Sequence, residues 1–189
     1  FIDYHKDYLL CFVNDGSKDN TVELLHKFRE GRERRVLVLD LVENQGKAEA
    51  VRRGILHVLD HTKVENVGFI DADLSTGFQD YRMLVSHLMY TEKDPYMVFG
   101  SRKMDGEGDI ERSLFRDIAS SVVGVSIRWI LGLPISDTQC GAKVFTRSMA
   151  QKVFSGGFLT RWLFDVEIFL RMKKIFGNGA INKMKEIPL

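Results

Sequence analysis

Four apolar runs, each cut off by polar residues, constrain this chain more than any other feature. Leu9-Leu10-Cys11-Phe12-Val13 ends in Asn14-Asp15-Gly16-Ser17, and Val36 to Val42, interrupted by Asp40 alone, leads into Glu43-Asn44-Gln45. Val67-Gly68-Phe69-Ile70 is closed by Asp71, and Met97-Val98-Phe99-Gly100 by Ser101 and Arg102. Short continuous apolar runs of this kind are expected of strands buried on both faces. Between them, Thr21 to Arg29, Ala48 to Leu59 and Tyr81 to Met89 place apolar residues three and four apart, the helical period. Strands alternating with helices build βαβ units, so the expected fold class is α/β, with a mostly parallel central sheet flanked by helices. Such sheets bind ligands beyond the carboxyl ends of their strands. The loops after Val13, Val42, Ile70 and Gly100 should therefore line one site.

The second half has a different rhythm. A long helical pattern over Arg112 to Leu133 is followed by Asp137-Thr138-Gln139-Cys140-Gly141 and a short apolar run around Val144-Phe145. A further helix is expected over Trp162 to Phe176, and a final strand over Ala180 to Ile187.

Composition narrows the function. With 189 residues and 44% of them hydrophobic, the chain can build a real core in one domain, which excludes disorder. Lys+Arg 27 against Asp+Glu 26 leaves a net charge of +1, so no global field draws in nucleic acid and none is expected as a partner. Cys11 and Cys140 lie too far apart for a CxxC motif and are expected as reduced thiols in a cytoplasmic setting. No uncharged apolar stretch reaches the roughly 18 to 20 residues of a spanning helix, and Asp3, Lys6 and Asp7 do not fit a signal peptide. Neither an internal repeat nor a domain boundary is visible.

Three polar constellations follow the strands. In Asn14-Asp15-Gly16-Ser17-Lys18-Asp19-Asn20-Thr21, the glycine permits a tight turn and Ser17 or Asp19 can cap the next helix. Asp15, at the strand end, can accept hydrogen bonds from a base or a ribose. Neither GxGxxG nor GxxxxGK[ST] occurs, which argues against a dinucleotide fold of the Rossmann type and against a P-loop. Asp71-Ala72-Asp73 places two carboxylates side by side if the chain stays extended, a set of hard oxygens suited to a divalent cation and a diphosphate. Asn44-Gln45-Gly46-Lys47 opens a helix, and reads equally as an anion site or as a capped helix with an exposed lysine.

Taken together, VNDGSKDNT, NQGKAEAV, DADLS and GSRK resemble the GT-A domain of family 2 inverting glycosyltransferases. DTQCGAKVFTR and RWLFDVE resemble its dolichyl-phosphate glucose synthase branch, close to dolichyl-phosphate mannose synthases. The resemblance covers nearly the whole chain. It implies a GT-A fold in a single domain, 1–189, incomplete at both ends, since the family's first strand and loop and its basic C-terminal segment have no counterpart here.

The resemblance also implies roles. Asp15 and Gly16 would contact the nucleoside of a sugar donor with Lys47 beside it, while Asp71 and Asp73 would hold the donor diphosphate and Mg2+ or Mn2+. Related mannose synthases carry a glutamine ligand two residues after the second aspartate; here that position is Ser75, leaving water to complete the shell. Arg102, Arg116 and Ser120 match positions that grip the acceptor phosphate, and Asp137 would lie at the reaction centre. An ionised polyprenyl phosphate needs no general base, so the role of Asp137 stays open. Arg161, Trp162, Asp165 and Glu167 match the second signature, and packing of the last helix is the reading preferred for them over acceptor contact.

The implied activity is metal-dependent, inverting transfer of a hexose, glucose from UDP-glucose, to a polyprenyl or dolichyl phosphate. Two alternatives are a family 2 enzyme acting on a saccharide hydroxyl and a non-catalytic nucleotide-binding module of the same fold. Leu114 to Leu133, with Arg112, Arg116 and Arg128 beside it, suits either a core helix or a helix resting at the cytoplasmic face of a membrane.

Overall fold

The computed structural model describes residues 1–73, 75–92, 94–102 and 132–189. Along the chain run β1 (Leu10–Asp15), α1 (Thr21–Arg29), β2 (Val36–Leu41), α2 (Lys47–His61), β3 (Asn66–Ile70), α3 (Phe78–Tyr90) and β4 (Met97–Ser101). After the undescribed residues come β5 (Ala142–Thr146), α4 (Arg147–Val153), α5 (Phe164–Phe176), a 3-10 helix (Gly177–Lys183) and β6 (Met184–Pro188). The expected α/β alternation is thus present. The helix expected over Arg112 to Leu133, with Arg116 and Ser120, lies outside the described residues apart from Gly132 and Leu133.

β1 and β2 pair in parallel, Leu10 opposite Val36 through Asp15 opposite Leu41. A four-stranded sheet has the order β3-β5-β4-β6. There β4 and β6 are parallel, while β5 runs against both β3 and β4. The arrangement is mostly parallel, with β5 as its reversed strand among the described residues. The reversal brings the segment before β5, residues 137–141, to the end of the sheet where β3 and β4 release Asp71 and Arg102.

Two corrections concern strand ends. Val42 lies outside β2 and is 97% exposed. The last strand starts only at Met184, because Gly177-Asn178-Gly179 begins a 3-10 turn rather than extended chain. Glycines here weaken the propensity of the preceding helix to continue and of a strand to begin.

The larger core cluster joins Met97, Phe99 and Phe145 from the sheet to Phe164, Ile168, Phe169 and Met172 of α5. Phe99 meets Phe169 edge-on, with centroids 4.9 Å apart. Each such fully buried side chain contributes about 1.5–3 kcal/mol of hydrophobic stabilisation. A second cluster on the other sheet face joins Leu84 and Leu88 of α3 to Val98, Val144 and Ile187. With both faces covered, the polar loops at the strand ends are where chemistry is free to sit. Among the described residues, no helix is long and apolar enough to cross a membrane.

Candidate active site

β1 delivers Asp15 to the rim of the sheet, where its two oxygens accept the N–H groups of Gln45 at 2.8 Å and Gly46 at 2.9 Å. Gly16, at φ +71°, follows so closely on the next loop that a Cβ there would sit 2.5 Å from the Asn44 nitrogen. Only glycine fits that approach. Asp19 accepts the Thr21 N–H and hydroxyl, while the N-cap position of α1 falls on Asn20 with no side-chain cap, so neither Ser17 nor Asp19 is the N-cap.

The loop before α2 is held from a second side. Arg161 donates to the carbonyls of Gln45 and Asn44, and its own carbonyl accepts the Ala48 N–H. The amides of residues 45, 46 and 48 are therefore spent on protein groups. Those amides face protein acceptors in this structure, which leaves the Lys47 ammonium as the cationic group of the NQGK segment. Lys47 instead reaches across to Asp71, Nζ to Oδ2 at 2.7 Å.

Asp71 continues the line of β3, its N–H bonded to the Gly141 carbonyl. Beyond it, residues 72 and 73 form a turn. The two carboxylates of the DAD segment are thus not aligned by strand alternation, as an extended chain would have them; the turn carries Asp73 outward. Asp73 is exposed and accepts the Ser75 N–H at 2.9 Å. Its carboxyl is held below the ordinary range first by the Ser75 amide and hydroxyl, and further by the charges of Lys47 and Arg102.

Arg102, just past β4, lies against Asp137, Nε to Oδ2 at 3.0 Å. Asp137 is 4% exposed and Arg102 53%, so the guanidinium bridges a buried anion and the open rim. Burial alone would raise the Asp137 pKa, but the hydrogen bond and charge of Arg102, with the amides of Gln139 and Arg102, outweigh it and hold the carboxyl below its ordinary range. The loop of Asp137 is fastened in turn by Glu186 of β6, which accepts the N–H groups of Ser136 and Asp137.

The RWLFDVE segment divides its labour. Asp165 is buried in an ion pair with Lys143, whose Nζ also donates to the Cys140 carbonyl at 2.8 Å. Glu167 accepts the N–H groups of Leu159 and Thr160. Both acids therefore pack the last helix, as expected, whereas Arg161 reaches the loop beside Lys47 and Trp162 stays 68% exposed. Both cysteines are free. Burial pushes the Cys11 thiol up to about 11 and raises Cys140 as well, which disfavours the thiolate form of both.

Among the nucleotide-sugar, metal and catalytic candidates, Lys47, Asp71, Asp73, Arg102 and Asp137 come together, with Asp15 and Gly16 shaping the adjoining loop. Arg116 and Ser120 lie outside the described residues. Sequence reading missed Lys143, Gly141 and Glu186. A charged residue inside a buried strand, as in Ala142-Lys143-Val144-Phe145, is the signal that can reveal the first of these.

A family model described as glycosyl transferase family 2 matches residues 2–154. The chain belongs to that family. Family 2 relatives named dolichyl-phosphate beta-glucosyltransferase include the Drosophila melanogaster protein, 38% identical over 85% of this chain and 50% of its own length. The Homo sapiens protein of that name is 35% identical over 85% of this chain and 50% of its own length. The chain thus spans about half the length of the curated relatives it matches. Its fold is that of GT-A glycosyltransferases. Glucosyl-3-phosphoglycerate synthase from Mycobacterium tuberculosis, solved with Mn2+, UDP-glucose and glycerol 3-phosphate, superposes with a TM-score of 0.63 at 16% identity, over 95% of this chain and 58% of that one. Mannosyl-3-phosphoglycerate synthase from Rubrobacter xylanophilus gives 0.66 at 16% identity, over 96% and 54%.

Proposed function

We propose that this chain is the catalytic domain, 1–189, of an inverting glycosyltransferase that moves glucose from UDP-glucose to a polyprenyl phosphate such as dolichyl phosphate. The names of the relatives support the acceptor and the sugar. The observation that carries the reading is the pairing of Arg102 with Asp137. A carboxylate engaged by a guanidinium and two amides is a weak base, ill suited to deprotonating a saccharide hydroxyl. An acceptor that arrives ionised needs no such base, and a half-exposed arginine is the side chain for binding its phosphate.

On this reading Asp15 and Gly16 shape the nucleoside side of the donor site and Lys47 faces the diphosphate. Arg102, with Arg116 and Ser120, orients the acceptor phosphate, and Asp137 orients Arg102. One phosphate oxygen of the acceptor attacks the anomeric carbon from the face opposite the diphosphate, whose bond to that carbon breaks, inverting the configuration. The residue types suit a divalent cation, since both aspartates offer hard oxygens, although Asp71 is paired with Lys47 at 2.7 Å and no group of three or more acids, histidines or cysteines is gathered among the described residues. Asp71 and Asp73 would hold Mg2+ or Mn2+, which when bound supplies charge neutralisation for the departing diphosphate.

Release of UDP by the full-length protein, measured with polyprenyl phosphate and UDP-glucose, tests this. Arg102→Ala is expected to cost at least about a hundredfold in kcat/KM for the acceptor, the scale of losing a charged phosphate contact. Asp73→Ala is expected to abolish the stimulation by Mn2+. Transfer to a saccharide hydroxyl but to no prenyl phosphate, or UDP binding with no transfer at all, would replace the proposal with the corresponding alternative.

A further inference from the structure

A single row of paired residues crosses the four-stranded sheet: Phe69 of β3 opposite Lys143 of β5, Lys143 opposite Phe99 of β4, and Phe99 opposite Glu186 of β6. Directly paired residues project from the same sheet face. Two opposite charges thus stand on one face, and each holds part of the loop that carries Asp137. Glu186 Oε1 accepts the N–H groups of Ser136 and Asp137, both at 3.0 Å, and Oε2 shares the Ser136 N–H at 3.0 Å. Lys143 Nζ donates to the Cys140 carbonyl at 2.8 Å. The anion takes the amides at the front of the loop and the cation takes the carbonyl at its back.

Among the described residues Glu186 has no salt-bridge partner, so its charge is answered by amides. Hydrogen bonds to an ionised acceptor are shorter and about twice as strong as neutral ones. Asp137, with its backbone fixed this way, accepts the Gln139 N–H at 3.0 Å and the Arg102 guanidinium.

We propose that Glu186 is a positioning residue of the acceptor site: by gripping the amides of Ser136 and Asp137 it presents the Asp137 carboxylate to Arg102 and so sets the guanidinium for an incoming phosphate. The proposal rests on the phosphate-acceptor reading above. Glu186 itself touches no substrate, and strand β6 gives it a rigid base from which to hold a loop.

The test uses the full-length protein with Glu186→Ala and Glu186→Gln, the latter keeping an acceptor oxygen at the Oε1 position. In Glu186→Ala, KM for polyprenyl phosphate is expected to rise about tenfold, as for loss of a group supporting a ligand-binding side chain, while KM for UDP-glucose stays within about twofold. Glu186→Gln should recover most of the loss. An unchanged acceptor KM in the alanine variant, equal damage to both KM values, or a glutamine variant no better than alanine would overturn the role.

A second readout separates this proposal from the acceptor reading. Without substrates, amide hydrogen exchange at Ser136 and Asp137 should speed up about tenfold in Glu186→Ala, with the β4–β6 ladder unaffected, since local opening reports local hydrogen bonds. Unaltered protection at those amides would defeat the clamp whatever the acceptor is. Altered protection in a protein that transfers nothing to prenyl phosphate would keep the clamp and reject the acceptor reading.

Discussion

Lys143 and Asp165 join the two most distinctive segments of the chain, DTQCGAKVFTR and RWLFDVE, through an ion pair in which both side chains are sealed from solvent. Phe69 and Phe169 flank the ammonium at 5.5 and 5.8 Å from their ring centroids. Removing one partner strands a charge in that apolar surround, which costs about 3–5 kcal/mol. Asp165→Ala and Lys143→Ala should each show it in urea unfolding. The double variant Lys143→Met, Asp165→Leu should regain most of the loss, because a well-packed apolar pair is about as stable as a buried ionic one.

Gly141 leaves no room for a larger residue. A Cβ there would lie 2.3 Å from Asp71 Oδ2 and 2.4 Å from its Cγ. Gly141→Ala should push the Asp71 carboxylate off Lys47, lower stability by about 1–3 kcal/mol and weaken Mn2+-dependent UDP binding in calorimetry.

Acid should act on the Arg102–Asp137 pair. A carboxyl held below its ordinary 3.8 in the folded chain contributes stability above that value, and the contribution is lost as pH falls through the lower folded pKa. With Arg102 half-exposed and screened, the contribution is under about 1 kcal/mol. Melting curves at pH 7 and pH 3 should therefore show a smaller drop for Asp137→Asn than for the unaltered protein. The opposite order would mean that Arg102 does not stabilise the carboxylate.

Arg161 is expected to serve the donor side. Its side chain donates to the carbonyls of residues 44 and 45, a two-sided reach that a lysine does not reproduce. Arg161→Ala and Arg161→Lys should both raise KM for the nucleotide sugar, by about tenfold for alanine, and leave acceptor KM within about twofold. Steady-state kinetics with each substrate varied in turn checks this.

The first half of the fold was legible because apolar runs and helical spacing alternate cleanly there, and α1 begins and ends where the spacing placed it. The direction of β5 was not, since Val144 and Phe145 are equally apolar whichever way the strand runs. Asp15, Lys47, Asp71, Asp73, Arg102 and Asp137 could be read from residue type at strand ends and from family likeness. What they touch could not. Asp137 depends on Glu186, 49 residues away, and no local pattern encodes such a pairing. The DAD segment does not stay extended: hydrogen bonding along β3 runs on to the Asp71 N–H and the Gly141 carbonyl, and strand alternation ends there, with residues 72 and 73 in a turn. Lys143 went unnoticed because lysine is so rarely buried that its type speaks for solvent.

The bond from Arg161 to Gln45 spans 116 residues. Closing so long a chain segment is entropically slow, and contacts of that separation form late. On the proposed reading, the rim of the donor site is completed only after the C-terminal half has docked. A nascent or truncated chain ending before Arg161 would hold the acidic motif yet lack the finished loop beside it, and so would gain its binding competence only as synthesis of this segment ends.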